Sequence, residues 1–135
     1  MYYFMKGYEH RYIELDLNKV ELFGWEPSNS DKSIAAMIKG ILAGDEIPRV
    51  PIHRQTENVY FLSPLWETKD GLQDAGHTRA VAHYIENRIL KCVLLDGGPC
   101  NPPDTDVNIK DIEIVDDTGQ YEERIKRFPN YRRVE

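Results

Sequence analysis

Strand-like and helix-like apolar patterns alternate along this chain, and that alternation limits the fold more than any other feature. Between residues 34 and 42, apolar side chains recur three and four positions apart, which is the spacing of one buried helical face. The predicted buried face comprises Ile34, Met37, Ile38, Ile41 and Leu42. Ser30 or Asp31 caps the start of this helix, and Gly44 ends it as a left-handed cap.

A second helical pattern extends from Thr78 to about Asn87, and short apolar runs surround it. This helix is predicted to bury Val81, Ala82, Tyr84 and Ile85. The short runs predict strands at 12–17, 20–23, 50–53, 58–62 and 90–95, with a turn at 54–57. Because proline donates no backbone hydrogen bond, Pro48 and Pro51 put strand 50–53 at a sheet edge or mark a strand start.

The C-terminal part of the chain carries weaker patterns. Residues 109–115 predict a further strand, and Tyr121 to Arg127 predicts a short helix that stops before Pro129. The order strand, helix, strand, strand, helix, strand indicates a mixed α/β (α+β) fold. We therefore expect a single domain over residues 1–135, with a small mixed sheet and flanking helices.

Charge and hydropathy limit the partners of the chain. The formal net charge of −6 disfavours nucleic acid as a partner, because non-specific binding needs a positive surface. A basic group near the C-terminus is either a solvated face or a phosphate-facing arm, and it comprises Arg124, Lys126, Arg127, Arg132 and Arg133. No apolar run approaches the roughly 20 residues that span a bilayer, and no signal-peptide pattern is present, so we expect a cytoplasmic protein without a membrane partner.

Neither cysteine has the spacing of a metal site or a disulfide framework. Cys92 lies in an apolar run, which favours a buried small hydrophobe, and Cys100 lies in an expected loop. No second cysteine pair completes a zinc site. The sequence therefore predicts neither a zinc site nor a disulfide.

The stretch Gly76-His77-Thr78-Arg79-Ala80 lies where a polar loop gives way to the second helix. Glycine lets the backbone approach a ligand closely, and a helix start presents N–H groups that have no intrahelical partner. The helix dipole adds partial positive charge, so this stretch favours an anion, and phosphate is a common occupant of such sites. The alternative interpretation is that these residues only cap the helix and that Arg79 is solvated.

Four stretches together follow a pattern known from one superfamily. They are Ile47-Pro48-Arg49-Val50-Pro51-Ile52, Tyr60-Phe61-Leu62, Gly76-His77-Thr78-Arg79-Ala80-Val81-Ala82 and the strand around Val93. In this order they resemble the ParB/sulfiredoxin (ParB N-terminal-like) superfamily, whose members tend to read helix, apolar strand, turn, strand, D-G-H-x-R-x-x-A, helix, apolar strand. The resemblance covers about residues 12–97, and residues 98–135 form a C-terminal extension.

The resemblance implies a site for nucleotide phosphate at the Gly76 helix start. ParB proteins bind and hydrolyse CTP and act on DNA, sulfiredoxins use ATP to reduce a cysteine sulfinic acid, and a free serine kinase uses ADP. Sulfiredoxin-like members carry cysteine directly after the motif glycine, where this chain has His77. The kinase-like pattern D-G-H-x-R matches Gly76, His77 and Arg79 best, although Ala75 replaces the motif aspartate and Asp74 stands one place earlier.

The resemblance also implies roles for individual residues. The candidates for binding the phosphates of ATP, ADP or CTP are Gly76, His77, Thr78 and Arg79. Asp74 is the candidate for binding Mg²⁺ or orienting the nucleophile, because phosphoryl transfer needs both functions. Glu26, by its position in the loop after the first strands, is the candidate base, and its other interpretation is a solvent-exposed loop acid. His77 is a further catalytic candidate, or it caps the helix and packs against the hairpin.

Three functions remain open at this stage. The first is a small-molecule phosphotransferase or nucleotide hydrolase, whose partners are a nucleotide and a small-molecule acceptor. The second is a ParB-like DNA-binding or nuclease-type protein, which would use Arg79, Arg88 and the C-terminal arginines, and against which the net charge of −6 argues. The third is a non-catalytic binding or regulatory domain that has kept the phosphate loop but carries Ala75 in place of the motif aspartate.

Overall fold

A mixed six-stranded sheet organises the fold. The computed structural model describes residues 7–63, 75–98, 106–117, 119–128 and 131–134. In chain order the strands are β1 (Glu9–Leu15), β2 (Glu21–Gly24), β3 (Ser28–Ser30), β4 (Val50–Thr56), β5 (Val59–Leu62), β6 (Leu90–Asp96), β7 (Val107–Asn108) and β8 (Glu113–Val115). Six of them form a sheet in the spatial order β1-β6-β4-β5-β2-β7, and β3 pairs with β8. This mixed sheet confirms the expected α/β class.

The helices are α1 (Asp31–Leu42), α2 (His77–Ile85) and α3 (Gln120–Arg127), with a 3₁₀ turn at Ile109–Asp111. Helix α1 packs against both α2 and α3, and α2 contacts β6. The predicted short helix near the C-terminus is therefore confirmed. No helix within the described ranges is long and apolar enough to cross a bilayer.

Strand β4 tolerates a proline because the proline stands near the start of the strand. β4 runs parallel to β6 and antiparallel to β5, so it has neighbours on both sides. Ile52 pairs with Leu62, the last residue of β5, so Pro51 lies beyond the end of β5, where its carbonyl accepts from the N–H of Ser63 at 3.1 Å. Pro51 is also in register with Val93 of β6, so it is the second residue of a strand whose β5 neighbour has already ended. The expectation of an edge strand is wrong, and the alternative of a strand start is confirmed.

Helix α1 begins and ends where the sequence predicts. The Ser30 hydroxyl accepts from the N–H of Ser33 at 3.2 Å, and Gly44 follows the last turn with φ of +81°. The predicted burial of Leu42 is wrong, because its side chain is 58% exposed. Ile38, one turn earlier on the same side of the helix, is only partly buried, so this side lies at the edge of the helix face that packs into the core.

Alternate residues of β6 fill the two faces of the sheet. Cys92 and Leu94 belong to the main core, whereas Val93 and Leu95 pack with Tyr8 in a second cluster. Successive side chains of a strand point to opposite faces, so the two clusters lie on opposite sides of the sheet. The strand is therefore buried on both faces, as its nearly continuous apolar run predicts.

Cys92 is a buried small hydrophobe, as expected. It has no solvent exposure, and burial raises the pKa of its thiol to about 12. The thiol is therefore protonated and unreactive at neutral pH. Cys100 lies outside the described residues.

Two predicted elements differ in the structure. Helix α2 ends at Ile85 rather than near Asn87, because Asn87 adopts a left-handed conformation with φ of +53°. Ile85, in the last turn, is consequently 46% exposed, and its predicted burial is wrong. The predicted strand at 109–115 is interrupted, because the Asn108 side chain accepts from the N–H of Lys110 and starts the 3₁₀ turn. That turn carries Ile109 into the core.

Candidate functional site

Helix α2 begins at a backbone turn that requires glycine. Gly76 is the N-cap residue, with φ of +93° and ψ of 15°, in the left-handed region. A Cβ at this position would meet Val50 Cγ1 at 2.7 Å and Arg79 Nη2 at 3.3 Å. Within the described residues, no side chain caps the helix and no acid stands in its first turn. The described acid nearest this positive end of the helix dipole is Glu26, whose Oε2 lies 3.7 Å from His77 Nδ1.

His77 ties the start of α2 to the end of β2. Its side chain is 2% exposed, and Nε2 accepts from the backbone N–H of Trp25 at 3.1 Å and of Glu26 at 3.4 Å. Because Nε2 accepts, the ring proton is assigned to Nδ1, which lies 3.7 Å from Glu26 Oε2. A Cβ at Gly24 would collide with Nε2, so this close approach depends on a second glycine. His77 thus fixes the backbone of the loop that carries Glu26.

A chain of hydrogen bonds runs from Thr78 to Glu26. Thr78 Oγ1 donates to Asn29 Oδ1 at 3.1 Å, and Asn29 Nδ2 donates to Glu26 Oε2 at 3.4 Å. Thr78 and Asn29 are both buried, whereas 37% of the Glu26 side chain is exposed. The network therefore orients the one member that reaches solvent, the carboxylate of Glu26.

Arg79 is fully buried and acts as a brace between α2 and the segment that leads into β4. Its Nη1 donates to the carbonyl of Pro48 at 2.9 Å and to the carbonyl of Arg49 at 3.1 Å. A buried guanidinium is stable only when its donors find partners, and these two carbonyls supply part of that requirement. In this arrangement the side chain supports the fold from within.

A cavity of about 260 Å³ lies between the start of α2 and α3, and we call it the α2–α3 cavity. One wall consists of Glu26, Ala75, Gly76 and His77. The other wall consists of Gln120, Glu123, Arg124, Arg127 and Phe128. Arg127 Nη1 pairs with Glu123 Oε1 at 2.9 Å, and Arg124 Nη1 donates to the hydroxyl of Tyr131 at 3.2 Å. Arg124, Arg127 and Glu123 thus line the cavity across from a helix start, beside which Glu26 stands.

The cavity brings together three of the candidate catalytic and phosphate-binding residues. Glu26, Gly76 and His77 line it, whereas Thr78 bonds to Asn29 and Arg79 braces the backbone behind it. Asp74, the candidate for Mg²⁺ and the nucleophile, lies outside the described residues.

Sequence reasoning missed part of this site. Asn29 carries no recognisable motif, and its buried link between Thr78 and Glu26 is visible only in three dimensions. Arg124 and Arg127 did stand out as part of a basic group, but only the packing of α3 against α1 brings them to the cavity. The useful signal was their spacing of three residues, which puts both on one side of a helix.

Comparison of this chain with family models, with curated proteins and with solved structures finds no match.

Two buried histidines away from the cavity make stability depend on pH. Burial lowers the pKa of His53 and of His83, and the charges of Arg79 and Arg88 lower that of His83 further. Histidines in the unfolded chain gain protons below a pH of about 6.5, whereas the folded chain resists this gain. The free energy of unfolding is therefore expected to be highest above pH 6.5 and to fall as the pH drops from 7 to 5.

Urea denaturation at pH 7.5, 6.0 and 5.0 measures this dependence. His83→Gln is expected to flatten the profile, because it removes one of the two buried histidines whose pKa is lowered. Equal free energies of unfolding at pH 7.5 and 5.0 would contradict the assignment of both histidines as neutral.

Proposed function

We propose that this chain binds the phosphate group of a nucleotide in the α2–α3 cavity. The observation that carries the proposal is the convergence of a helix start, turned by Gly76, with the guanidinium groups of Arg124 and Arg127. Helix N-termini favour phosphate through their N–H groups and dipole, and arginine matches phosphate oxygens with two donors. The resemblance of the Gly76 motif to nucleotide-binding members of the ParB/sulfiredoxin superfamily supports the same conclusion.

The volume of the cavity suits a phosphate group better than a whole nucleotide. Small-molecule sites typically measure about 300–1,000 Å³, and this cavity measures about 260 Å³. We therefore propose that the phosphates of ATP, ADP or CTP enter the cavity and that the nucleoside stays outside it. Mg²⁺ usually takes one or two carboxylates together with phosphate oxygens, so the carboxylates of Glu26 and Glu123, which both line the cavity, would hold it.

The enzymatic form of the proposal is transfer or hydrolysis of a phosphoryl group. Its support is the half-exposed carboxylate of Glu26, which lines the cavity and which His77 and Asn29 hold in place. A carboxylate so placed would orient a hydroxyl or a water against the phosphorus and accept its proton. In transfer the acceptor would be the hydroxyl of a small molecule and in hydrolysis it would be water, and in both cases the nucleotide would leave one phosphate shorter.

A second candidate is a binding or regulatory domain without catalysis. The observation in its favour is Ala75, which lines the cavity where the related motif has an aspartate. The two candidates share the phosphate site and differ only in turnover. Transfer of labelled phosphate from ATP, ADP or CTP to serine or to water distinguishes them, and absence of turnover despite nucleotide binding favours the binding domain.

Thermal unfolding in the presence of ATP, ADP and CTP, with and without Mg²⁺, tests the phosphate site. A ligand at 100 times its dissociation constant is expected to stabilise the protein by about 2.7 kcal/mol. Arg127→Gln is expected to weaken binding about tenfold, because a charge-assisted hydrogen bond contributes about 1.5–3 kcal/mol.

Arg133→Gln is the matched control for this experiment. Arg133 pairs with Glu122 at 2.9 Å as Arg127 pairs with Glu123, but it stands outside the cavity lining. The variant Arg133→Gln is expected to leave the dissociation constant of the nucleotide unchanged. Equal losses of nucleotide affinity in Arg127→Gln and Arg133→Gln would mean that general surface charge, not the cavity, binds the nucleotide. The absence of a shift in the thermal unfolding temperature with every nucleotide would overturn the proposal.

A further inference from the structure

A second and larger depression lies at the other end of α2, and we call it the β1–α2 groove. Its volume is about 740 Å³, within the range of about 300–1,000 Å³ that small-molecule sites occupy. Strands β1 and β6, the segment between α1 and β4, and the residues after α2 form its walls. The apolar side chains that line it include Tyr12, Ile47, Ile89 and Val93.

The groove is more positive than the rest of the protein. Arg49, Arg88 and Lys91 line it, and its two acids are Asp45 and Glu46. Asp45 is already neutralised by a two-pronged pair with Arg132, at 2.6 and 2.7 Å. Three cations therefore face one uncompensated carboxylate, in a chain whose formal net charge is −6.

In one wall of the groove an arginine lies over the ring of a tyrosine. The Arg49 guanidinium lies 4.3 Å from the centre of the Tyr12 ring, and its Nη1 donates to the carbonyl of Cys92 at 3.2 Å. Tyr12 is nevertheless 69% exposed. An exposed aromatic ring held in place by a cation offers a planar surface for another ring, because arginine and aromatic faces stack.

Buried side chains hold the groove in its shape. Arg79 anchors the carbonyls of Pro48 and Arg49, and the carbonyl of Arg79 itself accepts from His83 Nδ1 at 2.6 Å. Pro48, Arg49 and His83 all line the groove. The groove is therefore built on the rigid part of the fold and is present before any ligand binds.

We propose that the β1–α2 groove binds a small molecule with a planar apolar body and one anionic group, such as an aromatic carboxylate or a phosphate ester. The planar body stacks on the Tyr12–Arg49 surface and covers Ile89, whose side chain is 48% exposed. The anionic group lies between Arg88 and Lys91. This site is separate from the α2–α3 cavity and does not depend on phosphate binding there.

The fluorescent probe 8-anilinonaphthalene-1-sulfonate tests this assignment, because it joins a planar apolar body to one negative charge. Two variants address the groove: the double variant Arg88→Gln with Lys91→Gln, and Ile89→Ser. Each is expected to weaken binding of the folded protein about tenfold. The neutral analogue N-phenyl-1-naphthylamine is expected to bind the parent protein about tenfold more weakly.

Matched controls remove the same chemistry elsewhere. The double variant Lys32→Gln with Lys126→Gln removes two exposed cations outside the groove, one at the N-terminal end of α1 and one on α3. The variant Ile114→Ser replaces an isoleucine outside the groove that is 49% exposed. These controls, and Arg127→Gln in the α2–α3 cavity, are expected to leave the dissociation constant unchanged. The inference is overturned if the controls lower affinity as much as the groove variants, if the neutral probe binds equally well, or if the sulfonate probe does not bind.

Discussion

Replacing Arg79 with alanine is expected to lower the free energy of unfolding by about 3–5 kcal/mol. The guanidinium is fully buried, and its Nη1 holds the carbonyls of Pro48 and Arg49. Alanine would leave both carbonyls without this donor and would leave a cavity between α2 and the segment that leads into β4. Urea denaturation at pH 7.5 measures the difference.

Two further variants separate bracing from simple positive charge. Arg79→Lys keeps the charge but loses the fork of donors, so it is expected to recover only part of the lost stability. Arg127→Gln, at a half-exposed arginine, is expected to change stability by no more than about 0.5 kcal/mol. If Arg79→Ala folds with unchanged stability and loses only nucleotide binding, Arg79 is a phosphate ligand and the bracing role is wrong.

Replacing Gly76 with alanine is expected to lower the free energy of unfolding by about 2–4 kcal/mol and to abolish nucleotide binding. Two effects combine: alanine is strained at φ of +93°, and its Cβ would lie 2.7 Å from Val50 Cγ1. Val50 is fully buried in β4, so it cannot move aside without disturbing the core. Thermal and urea unfolding, followed by nucleotide titration of the folded fraction, measure both consequences.

Gly44→Ala provides the matched control. Gly44 has nearly the same backbone conformation, with φ of +81°, but no atom lies within 4 Å of a Cβ at that position. The variant Gly44→Ala is expected to lower the free energy of unfolding by about 1–2 kcal/mol, from backbone strain alone, and to leave nucleotide binding intact. Equal costs at the two glycines would mean that the approach of Val50 does not constrain the start of α2.

Much of the fold follows from local pattern. Helix α1, strands β5 and β6 and the glycine that starts α2 could all be predicted, because their apolar spacing, caps and turn residues agree with one another. The errors lie where tertiary packing decides. Leu42 and Ile85 have the right spacing but stand at the margins of their helices, and Ile109 reaches the core from a turn rather than from a strand.

The site was less predictable than the fold. Gly76 and His77 were recognisable because the chemistry of a helix start is local, and Glu26 was recognisable only through the family resemblance. Arg79 was expected to meet phosphate, yet a sequence does not reveal whether an arginine in a first helical turn points outward or braces a neighbouring strand. The contribution of α3 depends on contacts across about 45 residues of sequence, which no local pattern encodes.

The most direct measurement of the central claim is an amide chemical-shift titration of the isotopically labelled protein with ADP and Mg²⁺. The largest shifts are expected on the amides of residues 75–78 and 120–127, on the two walls of the α2–α3 cavity, and the residues lining the β1–α2 groove are expected to shift little. Saturating shifts confined to other residues, or no shifts at millimolar ADP, would contradict the claim that this cavity binds nucleotide phosphate.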